Sequence, residues 1–430
     1  MATTADNSAR TARRALALLL FINLFNYIDR YILAAVEPMV RDQLLAADDP
    51  NAKTKMGYLT TAFMVTYMLL APAFGWLADR TSRWTIIGIG VILWSLASGA
   101  SGLAHTYLLL LLTRIFVGIG EAAYGPTAPT LIADMYPVER RGGVLAWFYM
   151  AIPVGTAIGY AFGGLMAKHL SWHWAFYLVV PPGITLGVLA FLRKDPVRGM
   201  SDAPAARPAA RPRLADYGEI FRVPSFIYNI LGMTAMTFAV GGISFWMPTY
   251  ILEFRGLSDP AGVNTTFGAI VVVAGLSATL LGGYTADKLR ARFPGSYFLV
   301  SGVGMLLGFP FFLATLYAPF PLAWVLMFAA VFCLFFNTGP SNTITANVTR
   351  PGVRASAYAL TILSIHLLGD AISPAIIGRV CDGTRSPTHP KGDMNTAFLI
   401  VGGAMVVSAV FWLLGARHLA RDTARAQQVG

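Results

Sequence analysis

The chain reads as an all-α integral membrane protein with twelve transmembrane helices in two six-helix bundles. Three observations predict this. Of its 430 residues, 56% are hydrophobic and only 12% are charged, roughly half the charge a soluble domain carries. Apolar stretches long enough to cross a bilayer, roughly 20 residues each, recur twelve times, centred near Ile28, Leu69, Leu93, Gly120, Gly155, Gly183, Ala239, Leu276, Leu307, Leu334, His366 and Val406. One junction also appears twice, as Gly75-Trp76-Leu77-Ala78-Asp79-Arg80 and again as Gly283-Tyr284-Thr285-Ala286-Asp287-Lys288, each time where an apolar run meets a basic turn. A junction repeated in each half points to two copies of one membrane unit, an organisation common among secondary transporters. The runs are too long for barrel strands, and a backbone in lipid must pair its own polar groups, so the spans are helices.

The first span follows Arg13-Arg14. It runs past Asp29-Arg30 without a small-residue cleavage site, so it reads as a span and not a signal peptide. The second ends, and the third begins, at Asp79, Arg80 and Arg83. The fourth covers about Tyr107 to Asp134 and carries Arg114, Gly118, Gly120 and Glu121. The fifth has Gly155, Gly159 and Gly163 after Pro153. That spacing suits either close helix packing or a helix that bends during gating. Between the sixth and seventh spans lies the longest break, Arg193 to Arg222. It is rich in Ala, Pro and Arg, as expected of a semi-extended linker, and Tyr217 to Phe221 could form a short interfacial helix within it. The break divides the chain into residues 1–192, a cytoplasmic linker at 193–222, and residues 223–430. In the second half, Gly241-Gly242 and Pro248 flank Trp246 on the seventh span, and His366 and Asp370 lie one turn apart on the eleventh. Cys333 and Cys381 lack framework spacing and read as small packing residues.

A net charge of +11 would suit a nucleic-acid partner, but its distribution rejects one. About 22 of the Lys and Arg fall on the side of the N-terminus, about eight fall opposite, and Arg30 and Arg114 fall within spans. This positive-inside bias places both termini in the cytoplasm. The compact loops suit a bacterial inner membrane.

Ionisable groups inside a span are costly, so each is a functional candidate. Asn26-Tyr27-Ile28-Asp29-Arg30 falls near the middle of the first span, and Glu121 lies at a similar depth on the fourth. Arg114 and Glu121 are two turns apart on one face. Asp29 and Arg30 could simply neutralise each other while holding helices together. Alternatively, Asp29 and Glu121 are proton-coupling residues. Glu121 is the stronger candidate, because no base lies within four residues of it. Arg30, permanently charged and able to offer two donors, is the natural anchor for an anionic headgroup, which would displace Asp29. His366 could titrate near neutral pH or serve as a hydrogen-bonding core residue.

At the cytoplasmic junctions, Asp79, Arg80 and Arg83 form one set, Asp134, Glu139, Arg140 and Arg141 a second, and Asp287, Lys288 and Arg290 a third. A carboxylate there could bind a helix N-terminus or a facing Arg and act as a gating latch. The gating candidates are therefore Asp79, Arg80, Arg83, Asp134, Glu139, Arg140 and Asp287.

These residues resemble known motifs. Gly75-x-Leu77-Ala78-Asp79-Arg80-x-x-Arg83 is similar to the loop motif of the major facilitator superfamily, and Arg114-x-x-x-Gly118-x-Gly120 to its fourth-helix motif. More narrowly, Asn26 to Arg30, Gly118 to Tyr124 with Ala128-Pro129-Thr130, Gly339 to Thr343 with Ala346-Asn347-Val348, and His366 to Pro374 resemble the spinster family of lipid transporters. The resemblance covers essentially the whole chain. It implies two six-helix bundles rocking about one central site, a lysophospholipid or sphingosine-1-phosphate substrate, and proton coupling in some members. By matching position, Asp29, Arg30 and Glu121 form the polar core, and Asn26, Tyr27, Tyr124, Trp246, Asn342, His366 and Asp370 join Arg30 as substrate-binding candidates. The latch role falls on Asp79, Arg83 and Asp134. The second loop copy departs from the pattern at Tyr284-Thr285 and Leu289. Aromatic residues Phe238, Phe245, Trp246 and Tyr250, with Phe332, Phe335 and Phe336, could line an apolar slot for an acyl chain.

The expected function is therefore a proton-linked secondary transporter of an amphipathic anionic lipid, with a symporter of a sugar acid or small organic anion as the alternative. It is expected to act as a monomer among membrane lipids, without cofactor, metal or nucleic acid. No Ser-His-Asp spacing, metal-ligand cluster or nucleotide-binding loop supports an enzyme. The Gly118-x-Gly120 piece lies inside an apolar helix with no preceding strand.

Overall fold

The structure, a computed structural model, describes residues 2–197, 218, 220–350 and 353–428. Among them, twelve helices are long and apolar enough to cross a membrane. They are α1 (Arg10–Leu44), α2 (Ala52–Ala78), α3 (Arg83–Gly102), α4 (Tyr107–Met135), α5 (Gly143–His169), α6 (Trp172–Phe191), α7 (Pro224–Phe254), α8 (Pro260–Arg290), α9 (Ser296–Tyr317), α10 (Leu322–Val348), α11 (Ser356–Gly383) and α12 (Met394–Gly415). Most of the Ala/Pro linker lies outside the described residues, as do Tyr217 and Glu219 of the expected interfacial helix and the side chains of Glu139 and Arg141.

By internal contact the chain divides into two compact units. One is Met1–Ala206 with Pro248–Gly268, and the other is Arg207–Met247 with Ala269–Gly430. Thus α7 is one continuous helix whose C-terminal stretch, from Pro248 onward, packs within the first unit.

In lipid, helices associate by close packing and not by burying apolar surface from water. In the first unit, glycines make that packing possible. A Cβ on Gly155 would stand 2.7 Å from the carbonyl oxygen of Leu24, and one on Gly159 would stand 2.6 Å from that of Ile28. The α5 glycine stripe therefore brings α5 against the backbone of α1 beside the Asn26–Arg30 segment. The Asn23 side chain joins it by donating to the Phe148 carbonyl at 2.8 Å. In the same way α4 is wedged between α2 and α3. A Cβ on Gly118 would meet the Phe63 carbonyl at 2.5 Å, and one on Gly120 would meet the Trp94 backbone nitrogen at 2.6 Å. The spacing of the fourth-helix motif thus fixes how closely Arg114 and Glu121 approach their neighbours.

Two spans break where chemistry concentrates. The α4 helix interrupts at Gly125-Pro126 and resumes at Thr127, because proline has no N–H to continue the ladder. The α11 helix widens into a π-turn over His366–Asp370, with Ala371 N–H bonded to the His366 carbonyl at 3.0 Å. Single π-turns of this kind recur at functional sites.

Candidate functional site

The polar centre of the first unit lies where α1, α2, α3 and α4 meet. Arg30 on α1 donates from both Nε and Nη2 to Oε2 of Glu121 on α4, each at 2.6 Å. Its guanidinium is stacked among three rings, with centroids at 4.9 Å (Tyr27), 5.0 Å (Phe63) and 5.3 Å (Tyr67). Glu121 is 1% exposed and Arg30 is 16% exposed, so the carboxylate is the inner member and the guanidinium the accessible one. Asn26 lies alongside Glu121, and its Nδ2 and Glu121 Oε1 are both buried without a hydrogen-bond partner.

Asp29 turns the other way. It accepts a hydrogen bond from Ser98 on α3, and Arg114 is the strongest opposite charge acting on it. Arg114 in turn donates to Ser101 Oγ at 2.7 Å, and Ser101 donates to Thr113 Oγ1 at 2.8 Å. Asp29 and Arg30 therefore do not neutralise each other, and a ligand arriving at Arg30 would displace Glu121 instead of Asp29. Adjacent residues on a helix point about 100° apart, which puts one toward α3 and the other toward α4. The four-residue gap around Glu121 in sequence was no guide either, since its base comes from another helix.

Other expected binding residues are already engaged. Tyr124 is buried and donates its hydroxyl to the Leu19 carbonyl at 2.6 Å. Trp246 is fully buried, with its indole N–H on the Pro374 carbonyl at 2.8 Å. Both hold helices together in this structure. Phe245 and Tyr250 are buried as well, while Phe332, Phe335 and Phe336 are half-buried. In the second unit, His366 Nδ1 lies 3.0 Å from both Asp370 oxygens, and Gly241 of α7 backs closely against Asp370. Asn342 is exposed and donates to the Thr338 carbonyl at 2.8 Å. Both cysteines are free thiols, Cys381 buried and Cys333 half-buried.

At the junction between α2 and α3, Arg83 is 4% exposed. It pairs with Asp134 at 2.5 Å and donates to the Pro196 carbonyl at 3.2 Å. Asp195 was not anticipated from sequence. It accepts from the backbone N–H of Arg83 at 2.8 Å and of Trp84 at 3.1 Å, and so caps α3. The carboxylate that binds a helix N-terminus here is Asp195, at the start of the linker, and not a member of the loop motif. Arg80 takes no part: it is exposed in the turn after α2 and lies 4.0 Å over the Trp76 ring. Asp79 and Arg140 are exposed. In the second copy, Asp287 accepts from the Tyr297 hydroxyl at 2.7 Å, so the repeated motif carries different partners. Of Glu139 the side chain lies outside the described residues.

Sequence reasoning also missed a buried charge cluster near the C-terminal end of α1, made by Glu37, Arg41, Lys53 and Glu253. Glu37 and Glu253 follow no motif.

Comparisons with known proteins agree with this architecture. Residues 19–374 match the model of the Major Facilitator Superfamily. The chain is 34% identical to protein spinster homolog 3 of Danio rerio, over 99% of this chain and 89% of the relative. It is 32% identical to the sphingosine-1-phosphate transporter SPNS2 of Danio rerio, over 94% of this chain and 83% of the relative. Among solved structures it resembles a bacterial homolog of the human lysosomal transporter spinster, with a TM-score of 0.79 at 22% identity, covering 97% of this chain and 98% of the other. The twelve apolar helices, the paired loop motif and these likenesses agree: the chain belongs to the spinster family of the major facilitator superfamily and is a multi-pass membrane transporter.

Proposed function

We propose that the protein moves a single-chain anionic lipid, of the lysophospholipid or sphingoid phosphate type, by alternating access coupled to protons. The observation that carries this reading is the Arg30–Glu121 pair in its cage of Tyr27, Phe63 and Tyr67. An arginine lodged among rings presents its donors in a fixed fork, which matches a phosphate as well as a carboxylate. Phosphate and Glu121 compete for that fork. Once phosphate takes Arg30, Glu121 is left ionised and buried without its base, a state costing several kcal/mol. Uptake of one proton removes that charge. Substrate and proton therefore bind together, each favouring the other, and a neutralised core can change its access. The relative named a sphingosine-1-phosphate transporter supports the choice of lipid.

On this reading, residues 1–192 and 223–430 are the rocking bundles joined by the linker at 193–222. Both termini are cytoplasmic, and the protein works as a monomer without enzymatic activity. Asp29 and Arg114 form a second charged layer behind the pair. His366–Asp370 is the polar contribution of the second half, and Arg83–Asp134 is the cytoplasmic latch.

The test is purified protein in liposomes containing a pH-sensitive dye. A lysophospholipid, sphingosine-1-phosphate or a sugar acid is then added under an imposed proton gradient. Proton movement driven by the single-chain lipids and lost in Glu121→Gln is the expected result. Movement driven only by the sugar acid would assign the protein to small organic anions, and lipid flux without proton movement would make it a facilitator.

A further inference from the structure

After α12 the chain forms a further helix, α13 (Leu419–Gln428), which neither the central site nor the loop motifs use. It lies on the second unit and is pinned there by one face. Leu419, Asp422 and Ala426 are buried, at the three- and four-residue spacing of one helical face. Asp422 accepts from the Ser225 backbone N–H at 2.9 Å and so caps the start of α7. In the turn before α13, the His418 ring stacks on Tyr228 of α7, with centroids 5.6 Å apart. The opposite face of α13 carries Arg421 and Arg425, both exposed and one turn apart.

Between α13, the start of α7 and the end of α10 lies a cavity of about 40 Å³, whose lining includes Ile220, Val223, Val348, Arg350, Asp422 and Arg425. That is space for about three water molecules, enough for phosphate oxygens and too little for an acyl chain. Successive spans run in opposite directions, so the start of α7 and the ends of α10 and α12 share one boundary of the membrane. Among the described residues there, Arg222, Arg350, Arg417, Arg421 and Arg425 stand against Asp422. The charge of Asp422 is already engaged: one oxygen accepts from Ser225 and the other from Arg421 Nε at 3.1 Å. The cavity wall is therefore basic in sum. A basic pocket between helices at a membrane boundary suits the phosphate of an anionic phospholipid. Free phosphate offers the same oxygens. The apolar lining of Ile220, Val223 and Val348, with exposed Phe221 beside Ile220, favours a headgroup whose chains stay in the bilayer.

We propose that this cavity binds the headgroup of a two-chain anionic phospholipid of the surrounding bilayer, held by Arg350 and Arg425. The lipid bridges the end of α10 to α13, and so fastens Asp422 over the start of α7. The site belongs to the second unit. It does not depend on the reading of the Arg30–Glu121 pair, which belongs to the first, and it needs neither transported substrate nor proton.

The test is native mass spectrometry of the full chain in detergent, titrated with phosphatidylglycerol and, separately, with phosphatidylcholine of the same chains. Phosphatidylglycerol should be retained and phosphatidylcholine should not. Arg350→Gln and Arg425→Gln should each weaken retention by about fivefold, the worth of one basic residue near an anionic surface, and together by about 25-fold. If Arg350→Gln does not fold, Arg425→Glu at its exposed position replaces it and should weaken retention by about tenfold or more. The lipid should still be retained in Arg30→Gln. Retention lost in Arg30→Gln but kept in the double variant would put the lipid at the central site and overturn the proposal. Equal retention of the two lipids would overturn it, and so would a double variant that binds like the parent. Displacement of the lipid by inorganic phosphate would make the cavity a site for free phosphate and overturn the lipid assignment. Lipid-driven proton movement at Glu121 is judged on its own assay in every case.

Discussion

Arg30 and Glu121 share a single carboxylate oxygen: Nε and Nη2 both reach Oε2 at 2.6 Å. The second oxygen, Oε1, is buried and unpaired. The pair is therefore complete in charge but incomplete in hydrogen bonding, and its guanidinium end is the accessible one. A site built this way can exchange one anion for another at Arg30 while gaining a proton at Glu121.

The first expected outcome concerns pH. On the proposed reading, a proton taken up at Glu121 releases Arg30, so affinity for a single-chain lipid phosphate should rise as pH falls. By linkage, adding that lipid should draw protons onto the protein. In Glu121→Gln the competition disappears: affinity should become independent of pH and, at neutral pH, tighter by about tenfold, or ~1.4 kcal/mol. Calorimetric titration in detergent at several pH values checks this, and a surviving pH dependence would remove Glu121 from the role.

Asp29→Asn should behave differently, because Asp29 faces Ser98 and Arg114, away from the pair. Headgroup affinity should stay within about threefold, since neither partner at Arg30 changes. Arg114 loses its principal opposite charge and Ser98 loses a charged acceptor. Thermal unfolding should therefore shift downward while binding persists. A variant with normal stability and lost binding would show that Asp29 touches the substrate.

The junction between α2 and α3 gives a graded series. Arg83→Ala removes the partner of Asp134 and the donor to the Pro196 carbonyl, and should lower stability by about 3–5 kcal/mol. Asp195→Ala removes the acceptor for the Arg83 and Trp84 N–H groups and the Ser82 hydroxyl but leaves the Ser82 N-cap of α3 in place, and should cost about 1 kcal/mol. Arg80→Ala, which deletes an exposed stacking contact, should be close to neutral. Melting temperatures of the three variants should follow that order.

Glycine substitutions test the packing. On Gly120, an added methyl group would meet the α3 backbone at 2.6 Å, and overpacking of this kind costs about 1–3 kcal/mol. The shift would also move Glu121 relative to Arg30, so Gly120→Ala should lose affinity along with stability. At Gly143 the added group meets nothing within 4 Å, and Gly143→Ala should be neutral or stabilising by about 0.5–1 kcal/mol. Equal behaviour of the two variants would contradict the wedged placement of α4.

Much of this protein was determined by its sequence alone. Hydrophobic run length fixes the number of spans, because bilayer thickness sets how many apolar residues a helix needs. Position within a run gives depth, so Asp29, Arg30 and Glu121 could be placed at one level. A contact within one helix was legible too: His366 and Asp370 are four residues apart, the spacing at which helical side chains meet. Only the tertiary structure decided partners. Which helix faces Asp29 and which faces Arg30 depends on how α3 and α4 pack around α1, and that packing is set by glycines whose role is the absence of a side chain. Asp195, Glu37 and Glu253 carry no motif, because capping and charge pairing across helices require only a carboxylate at the right place in space. Sequence separation says nothing of that place: Arg41 and Glu253 lie 212 residues apart and still form one pair.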